Sequence, residues 1–279
     1  DILVPGDWNT QRPQLYYYEG TVWYRKIFRY SPSPDKRTFI YFGAANYETV
    51  VGLNGRKIGK HTGGYTPFNF EITGQVREGD NSLVVKVDNK RRPEGVPTVN
   101  SDWWNYGGIT RSVEIVEVPM TFIRDYFLQL KKGSSNVAAG WVRLDGEQAE
   151  QSVTVEIPEL GIAHKVRTDA QGYAAFEFRI RPELWSPENP RLYDVKITSE
   201  TDSVSDRIGF RTISTKGTDI LLNGKKIYCR GVSIHEEKPY GLGGRAWSEE
   251  HARTLLGWAK EMGCNFVRLA HYPHNENMV

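Results

Sequence analysis

The chain has 279 residues, of which 39 % are hydrophobic and 25 % charged, and 36 basic against 34 acidic side chains give a net charge of +2. That length suggests about two domains, and the composition is that of an ordinary globular protein. The charge balance offers no basic run of the kind nucleic acid binding needs, and no run of about 18 apolar residues predicts a membrane helix. Aromatic residues make up 12 %, with 8 Trp and 15 Tyr, a content that suits sugar stacking and equally suits strands. The cluster Lys90-Arg91-Arg92, followed by Pro93, reads as a solvated loop. Cys229 and Cys264 are too few for a disulfide framework and are expected as buried free thiols. No signal peptide is visible, and Asp1 in place of Met suggests a processed start.

Short strands between turn signals dominate the first two thirds, the pattern of β-sandwiches. Strands are expected over 21–28, 37–42, 47–53, 56–59, 82–88 and 112–118. Asn54-Gly55 between two of them is the preferred type I′ hairpin turn, because both residues tolerate positive φ. Pro119 marks a boundary. A second set follows at 122–131, 138–144, 152–157, 173–180, 192–199 and 203–213, the size of an immunoglobulin-like sandwich without its Cys…Trp…Cys signature.

The texture changes after Thr215. Asn223-Gly224 repeats the hairpin signal, and Val232-Ser-Ile234 reads as a short buried strand ending in His235-Glu236. Ser248 is a good N-cap, with Glu249 and Glu250 complementing the helix dipole. Ala252, Leu255, Leu256, Ala259 and Met262 recur at helical spacing, and Gly263 is placed to stop the helix. Cys264 to His274 reads as a second buried strand carrying Arg268 and ending near His271. Strand, helix and strand form a βαβ unit with parallel strands.

Several collinear motifs carry a resemblance. They are Gly20-Thr-Val-Trp-Tyr-Arg25, Val51-Gly-Leu-Asn-Gly55, His61-Thr-Gly-Gly-Tyr-Thr-Pro-Phe68 and Asp102-Trp-Trp-Asn-Tyr-Gly-Gly-Ile-Thr-Arg111. Further along come Leu184-Trp-Ser-Pro-Glu-Asn-Pro-Arg-Leu-Tyr193, Gly209-Phe-Arg211, Arg230-Gly-Val-Ser-Ile-His-Glu236 and Arg268-Leu-Ala-His-Tyr-Pro273. Together they resemble glycoside hydrolase family 2, which includes β-galactosidases, β-glucuronidases and β-mannosidases. The resemblance implies a mainly β chain. A jelly-roll sugar-binding domain (1–119) is followed by an immunoglobulin-like β-sandwich (120–214) and the first βαβ unit of a (β/α)8 barrel (215–279).

In a barrel of this kind the active site lies at the C-terminal strand ends. The resemblance implies that His235 and His271 bind the hydroxyls of the sugar being cleaved; the plainer alternative is capping or core hydrogen bonding. Arg268 matches the arginine that holds the nucleophilic carboxylate, with a structural salt bridge as the alternative. Asp102 is implied to reach the sugar from a sandwich loop, and in galactosidase members to help hold sodium; a turn-forming Asp is the alternative. Trp103 and Trp104 are candidates for stacking on sugar, with one of them expected in the core. Glu236 is assigned a supporting role, and 236–246 a role in specificity. The His61–Phe68 loop is taken as structural.

The resemblance implies a retaining exo-β-glycosidase, a β-galactosidase first, with a β-glucuronidase or a non-catalytic carbohydrate-binding module as alternatives. The two carboxylic residues such an enzyme needs are expected on barrel strands beyond Val279, so the chain by itself is expected to be an inactive N-terminal part. The parent is expected to use Mg2+ or Na+ if it is a galactosidase. Carbohydrate is the expected partner, with neither nucleic acid nor membrane. Self-association is expected through the exposed barrel edge at Phe266, Val267 and Leu269. Exported relatives of this type make a periplasmic or secreted location the expectation.

Overall fold

Alternation of inward and outward side chains builds most of this molecule. The computed structural model describes every residue except Leu242, which lies within the 236–246 segment assigned to specificity. The chain divides into two compact units, one of Asp1–Glu117 with Arg230–Val279 and the other Val118–Cys229.

The first unit opens with β1 (Gly6–Asp7), β2 (Thr21–Tyr30), β3 (Lys36–Phe42), β4 (Glu48–Leu53), β5 (Arg56–Thr62), β6 (Phe68–Glu71), β7 (Gly79–Asp88), β8 (Gly108–Ile109) and β9 (Val113–Pro119). One sheet runs β2-β7-β4-β5, another β6-β3-β9, and β1 pairs with β8. Across β4 and β7, Val51 faces Val85 and Leu53 faces Leu83. These four join Trp8, Ile40, Phe42 and Ile72 in the core. Burying each such side chain contributes roughly 1.5–3 kcal/mol. A rim pair such as Arg29–Asp80, both largely exposed, contributes about 0–1 kcal/mol, so the inward faces hold this sandwich. At the β4–β5 turn Asn54 and Gly55 take φ of 51° and 83°, as the Asn-Gly signal requires. The Asn54 side chain also accepts from Ser82 N at 2.9 Å and donates to Asn81 Oδ1 at 2.8 Å.

The second unit contains β10 (Phe122–Leu130), β11 (Val137–Asp145), β12 (Ser152–Ile157), β13 (Ile162–Arg167), β14 (Tyr173–Arg179), β15 (Tyr193–Thr198), β16 (Ser203–Ile208), β17 (Ile213–Lys216), β18 (Asp219–Leu222) and β19 (Lys225–Ile227). Its sheets run β10-β11-β14, β13-β12-β15-β16 and β17-β18-β19. Val142, Val153, Val155, Ile157 and Phe210 are fully buried in its core. The single strand expected over 203–213 is broken. After Ile208 the chain buries Phe210, whose carbonyl accepts from Trp185 N at 2.8 Å, and pairing resumes at Ile213. Strands β6 and β13 were not expected. The first has four residues, and the alternation of the second is carried by Ile162, His164 and Val166, only two of them apolar.

The chain re-enters the first unit as β20 (Gly231–Ile234), α1 (Glu249–Glu261) and β21 (Phe266–Leu269). The two strands are parallel, with Val232 beside Val267 and Ser233 beside Arg268. Ser248 caps α1 through His251 N, and Gly263 ends it at φ 74°. Ala252 and Ala259 are buried with Ile234 and Met278, and Leu255 and Leu256 pack against them. Three expectations are corrected. Met262, expected on the apolar helix face, is 64 % exposed, because a two-stranded sheet covers only part of that face, while Phe266 is 49 % exposed, as expected of the barrel edge. The second strand is shorter than 264–274. Cys229 is exposed and Cys264 half-buried, both free, where buried thiols were expected. No helix among the described residues is long and apolar enough to cross a membrane.

Candidate functional site

The end of β20 and the end of β21 are tied together, Ala270 N donating to Ile234 O at 2.9 Å. That bond places His235 and His271 side by side, ring centroids 5.1 Å apart and nearly perpendicular. Trp103 arrives from the loop after β7. It stacks on His271 at 5.1 Å and meets His235 edge-on at 6.1 Å. Its indole nitrogen is buried and unpaired among the described residues, so packing alone holds the ring.

Hydrogen bonds define what the two imidazoles present. Arg268 Nη1 lies 2.8 Å from His271 Nδ1. A guanidinium only donates, so Nδ1 accepts and Nε2 carries the hydrogen. His235 Nδ1 lies 3.4 Å from Glu237 Oε1, and a carboxylate only accepts, so there Nδ1 carries the hydrogen. In their neutral forms the pair therefore offers one donor and one acceptor at Nε2, the complement of a hydroxyl group. The Arg268 side chain is exposed, with no carboxylate partner among the described residues. The structural salt bridge considered for it is absent there.

Beneath this rim lies a buried polar layer. Glu236, 6 % exposed, takes Arg111 Nε at 2.8 Å and Nη2 at 2.9 Å in a two-pronged pair, and Asn275 N at 2.5 Å. Arg111 also donates to Tyr65 O at 2.9 Å and Pro273 O at 2.8 Å. Both Glu236 oxygens are committed to these donors, so the carboxylate braces Arg111 and the backbone at Asn275. Arg245 is 1 % exposed, its guanidinium 4.7 Å from the Tyr65 ring, 5.5 Å from Tyr106 and 4.6 Å from Tyr272. Tyr65 and Tyr272 stack at 3.9 Å, and Arg245 Nη2 donates to the Tyr272 hydroxyl at 2.6 Å. Burial pushes the Tyr272 phenol up, which keeps it a neutral hydroxyl. Gly244, at φ 109°, lets this segment approach Asp7 and Thr10, where an added Cβ would lie 2.6–2.8 Å from their side chains. Asp7 Oδ2 then accepts from Arg245 N at 2.8 Å.

His274 stacks on Tyr272 at 5.2 Å, and its Nε2–H donates to Ala270 O at 2.9 Å. Burial holds its pKa below the ordinary histidine value.

Of the residues singled out by sequence, the structure gathers His235, His271, Arg268 and Trp103, with Glu236 below them. Asp102 is exposed and has no hydrogen-bond or ion-pair partner among the described residues. No cluster of three or more His, Cys, Asp or Glu that could hold a metal occurs among them either. One carboxylate supplies one of the several oxygens that sodium or magnesium requires, so no step is assigned to an ion here. Trp104 turns away from Trp103 toward Tyr16, at 5.0 Å. Sequence reasoning passed over Arg111, Arg245, Tyr106 and Tyr272. The His61–Phe68 loop, taken to hold the sandwich together, also delivers Tyr65 to the Arg245 cage. The signals for these were modest: Arg111 closes a quoted motif, and Arg245 follows a Gly-Gly pair.

Residues 2–119 match the glycosyl hydrolases family 2 sugar binding domain, 121–211 match glycosyl hydrolases family 2, and 213–279 match the glycosyl hydrolases family 2 TIM barrel domain. A putative beta-glucuronidase of Formosa agariphila is 34 % identical over 98 % of this chain and 35 % of its own length. A beta-galactosidase of Arthrobacter is 33 % identical over 80 % of this chain and 21 % of its own. The structure of Bifidobacterium dentium beta-glucuronidase superimposes with a TM-score of 0.89 at 25 % identity, over 99 % of this chain and 53 % of that one. The chain thus spans between about a fifth and about half of the length of these relatives. Three consecutive matches to one family, from residue 2 to residue 279, lie over two β-sandwiches and a parallel βαβ unit in that order, and the chain belongs to glycoside hydrolase family 2.

Proposed function

We propose that His235, His271, Trp103 and Arg268 form the sugar-binding rim of a retaining exo-β-glycosidase that removes a terminal β-linked pyranose. The observation that carries this reading is the histidine pair, one Nε2 donating and the other accepting, packed on a tryptophan at the ends of two parallel strands. A pyranose hydroxyl satisfies both nitrogens, while the indole supplies an apolar wall.

The reaction needs one carboxylic acid to protonate the leaving oxygen and one carboxylate to attack the anomeric carbon, about 5–5.5 Å apart. Glu236 is braced by Arg111, and Glu237 lies 3.5 Å from Arg245 Nη2. In our proposal both reacting carboxylates come from parts of a longer protein that this chain does not include. The partial coverage of its relatives supports that view. Arg268, whose guanidinium has no carboxylate beside it among the described residues, is then the cation that keeps the attacking carboxylate ionised.

A β-glucuronide is the leading substrate, supported by the names of the Formosa agariphila and Bifidobacterium dentium relatives. A β-galactoside, favoured on sequence alone, is the second reading, supported by the Arthrobacter relative. Assays of the complete enzyme with nitrophenyl β-glucuronide and β-galactoside separate them. His271→Ala is expected to lower kcat/KM on the preferred substrate, and unchanged kinetics would sink the assignment of the rim. The 279-residue chain alone is expected to turn over neither substrate, and turnover would refute the missing carboxylates. Phe266, Trp258 and Met262, all exposed, are proposed to drive self-association of the isolated chain, which light scattering checks.

A further inference from the structure

Outside the rim, one loop cluster has the make-up of a second sugar subsite. Trp104 follows Trp103 directly, so the two lie one peptide unit apart. Trp103 joins the histidines, whereas Trp104 packs at 5.0 Å from Tyr16 and 5.7 Å from Tyr17. Tyr16 and Tyr17 meet edge to face at 4.9 Å. These rings, with Glu19, Arg91 and Asn105, line a cavity of about 230 Å³. That is below the roughly 300 Å³ at which drug-sized pockets begin, a size for one ring and not for an extended ligand.

Two features separate this cavity from ordinary packing. Tyr17 is 82 % exposed although it is a large aromatic in a cluster of aromatics. Arg91 is not the solvated loop residue its Lys-Arg-Arg setting suggests. It is half-buried, with Nε donating to Glu19 Oε1 at 2.8 Å and Nη1 to the Ser101 hydroxyl at 3.2 Å. Its Nη2 and the second Glu19 oxygen have no partner among the described residues. They stand as a fixed donor and a fixed acceptor with balanced charge. Aromatic faces for apolar C–H groups, with a neutral donor–acceptor pair beside them, suit a pyranose ring and suit neither an anion nor a flat apolar ligand.

We infer that the Tyr16–Tyr17–Trp104 cavity binds a pyranose unit of the saccharide on the leaving-group side of the sugar held at Trp103. The inference rests on the glycosidase reading for the order of the two sites. In that reading Trp103 walls the terminal sugar, and the adjacent Trp104 is left to a later unit. The structure so assigns a preference for chains over single sugars to the sandwich and not to the barrel.

The test is calorimetric titration of the 279-residue chain with methyl β-glucuronide, methyl β-galactoside, and β-linked oligosaccharides from di- to pentasaccharide ending in either sugar. Oligosaccharides are expected to bind about tenfold more tightly than methyl glycosides, the worth of one or two ring contacts. Tyr17→Ala should abolish that gain and leave thermal unfolding unchanged, since the side chain is exposed. Arg91→Met should reduce it. Trp103→Ala should weaken both ligand classes alike. Absence of a chain-length gain, or a gain that survives Tyr17→Ala, overturns the inference while leaving the rim assignment intact. Oligosaccharide binding lost in Tyr17→Ala but indifferent to Trp103→Ala would support the cavity and count against the rim.

Discussion

Arg111 and Arg245 lie under the candidate site, and Arg268 lies on it. The buried pair is engaged on several sides: Arg111 grips Glu236 with two prongs, and Arg245 sits within 4.6–5.5 Å of three tyrosine rings, while its Nη1 has no hydrogen-bond partner among the described residues. Arg268 is exposed, and its recorded partner is His271. A buried guanidinium without partners is too costly to keep, whereas an exposed one without a carboxylate costs little. The difference teaches that, in this molecule, the buried arginines are wrapped by carboxylate, carbonyl and ring partners, whereas Arg268, the one proposed to hold the attacking carboxylate, keeps an open side.

The contrast is most exposed to failure at Arg111. Arg111→Ala strands Glu236 in the interior and is expected to destabilise the first unit by about 3–5 kcal/mol. An unchanged urea midpoint would break the distinction between the two layers. Arg245→Met fills the cage with an apolar chain and should cost less, about 2 kcal/mol. Arg245→Lys should not restore the loss, because a point-like ammonium cannot lie flat against three rings. Calorimetric melting of both variants checks this.

A smaller effect is expected from pH. Burial lowers the pKa of His274 and of His61, the latter stacked 4.1 Å from Phe68. The folded chain therefore binds fewer protons than the unfolded one below about pH 6.5, and stability should fall on acidification from there. Melting temperatures at pH 7.5 and 5.5 read this, and His274→Phe should flatten the dependence if the buried layer is its source. The smallest change in stability is expected at the rim, where Arg268→Ala should stay within about 0.5 kcal/mol. The same variant should impair the complete enzyme, and a large loss of stability would move Arg268 into the structural class.

What the sequence disclosed and what it hid divide along similar lines. Ser248, Gly263 and the Asn-Gly turns at 54 and 223 were readable because each acts on neighbours a few residues away. The parallel partnership of β20 and β21 followed from a helix between two apolar runs. By contrast, Arg111 and Glu236 are 125 residues apart, and nothing local to either announces the other. Tyr65, Tyr106 and Tyr272 read as strand and loop aromatics until the fold wraps them around Arg245. Trp103 and Trp104 are neighbours in sequence, and the fold packs the first on His271 and the second on Tyr16.

The first unit is assembled from two stretches of chain, with residues Val118–Cys229 between them. During synthesis this imposes a timetable. The second unit is complete when Cys229 emerges, at which point Arg111 still lacks Glu236 and Tyr65 still lacks Tyr272. Local closure is faster than closure across a long intervening segment. The expected order is therefore that the middle of the chain folds before the beginning is sealed, with the last fifty residues acting as a latch. Ribosome-bound chains stalled so that Cys229 has just left the exit tunnel should resist protease over 118–229 and remain cleavable before residue 117. Protection of both regions at that length would show that the latch is dispensable.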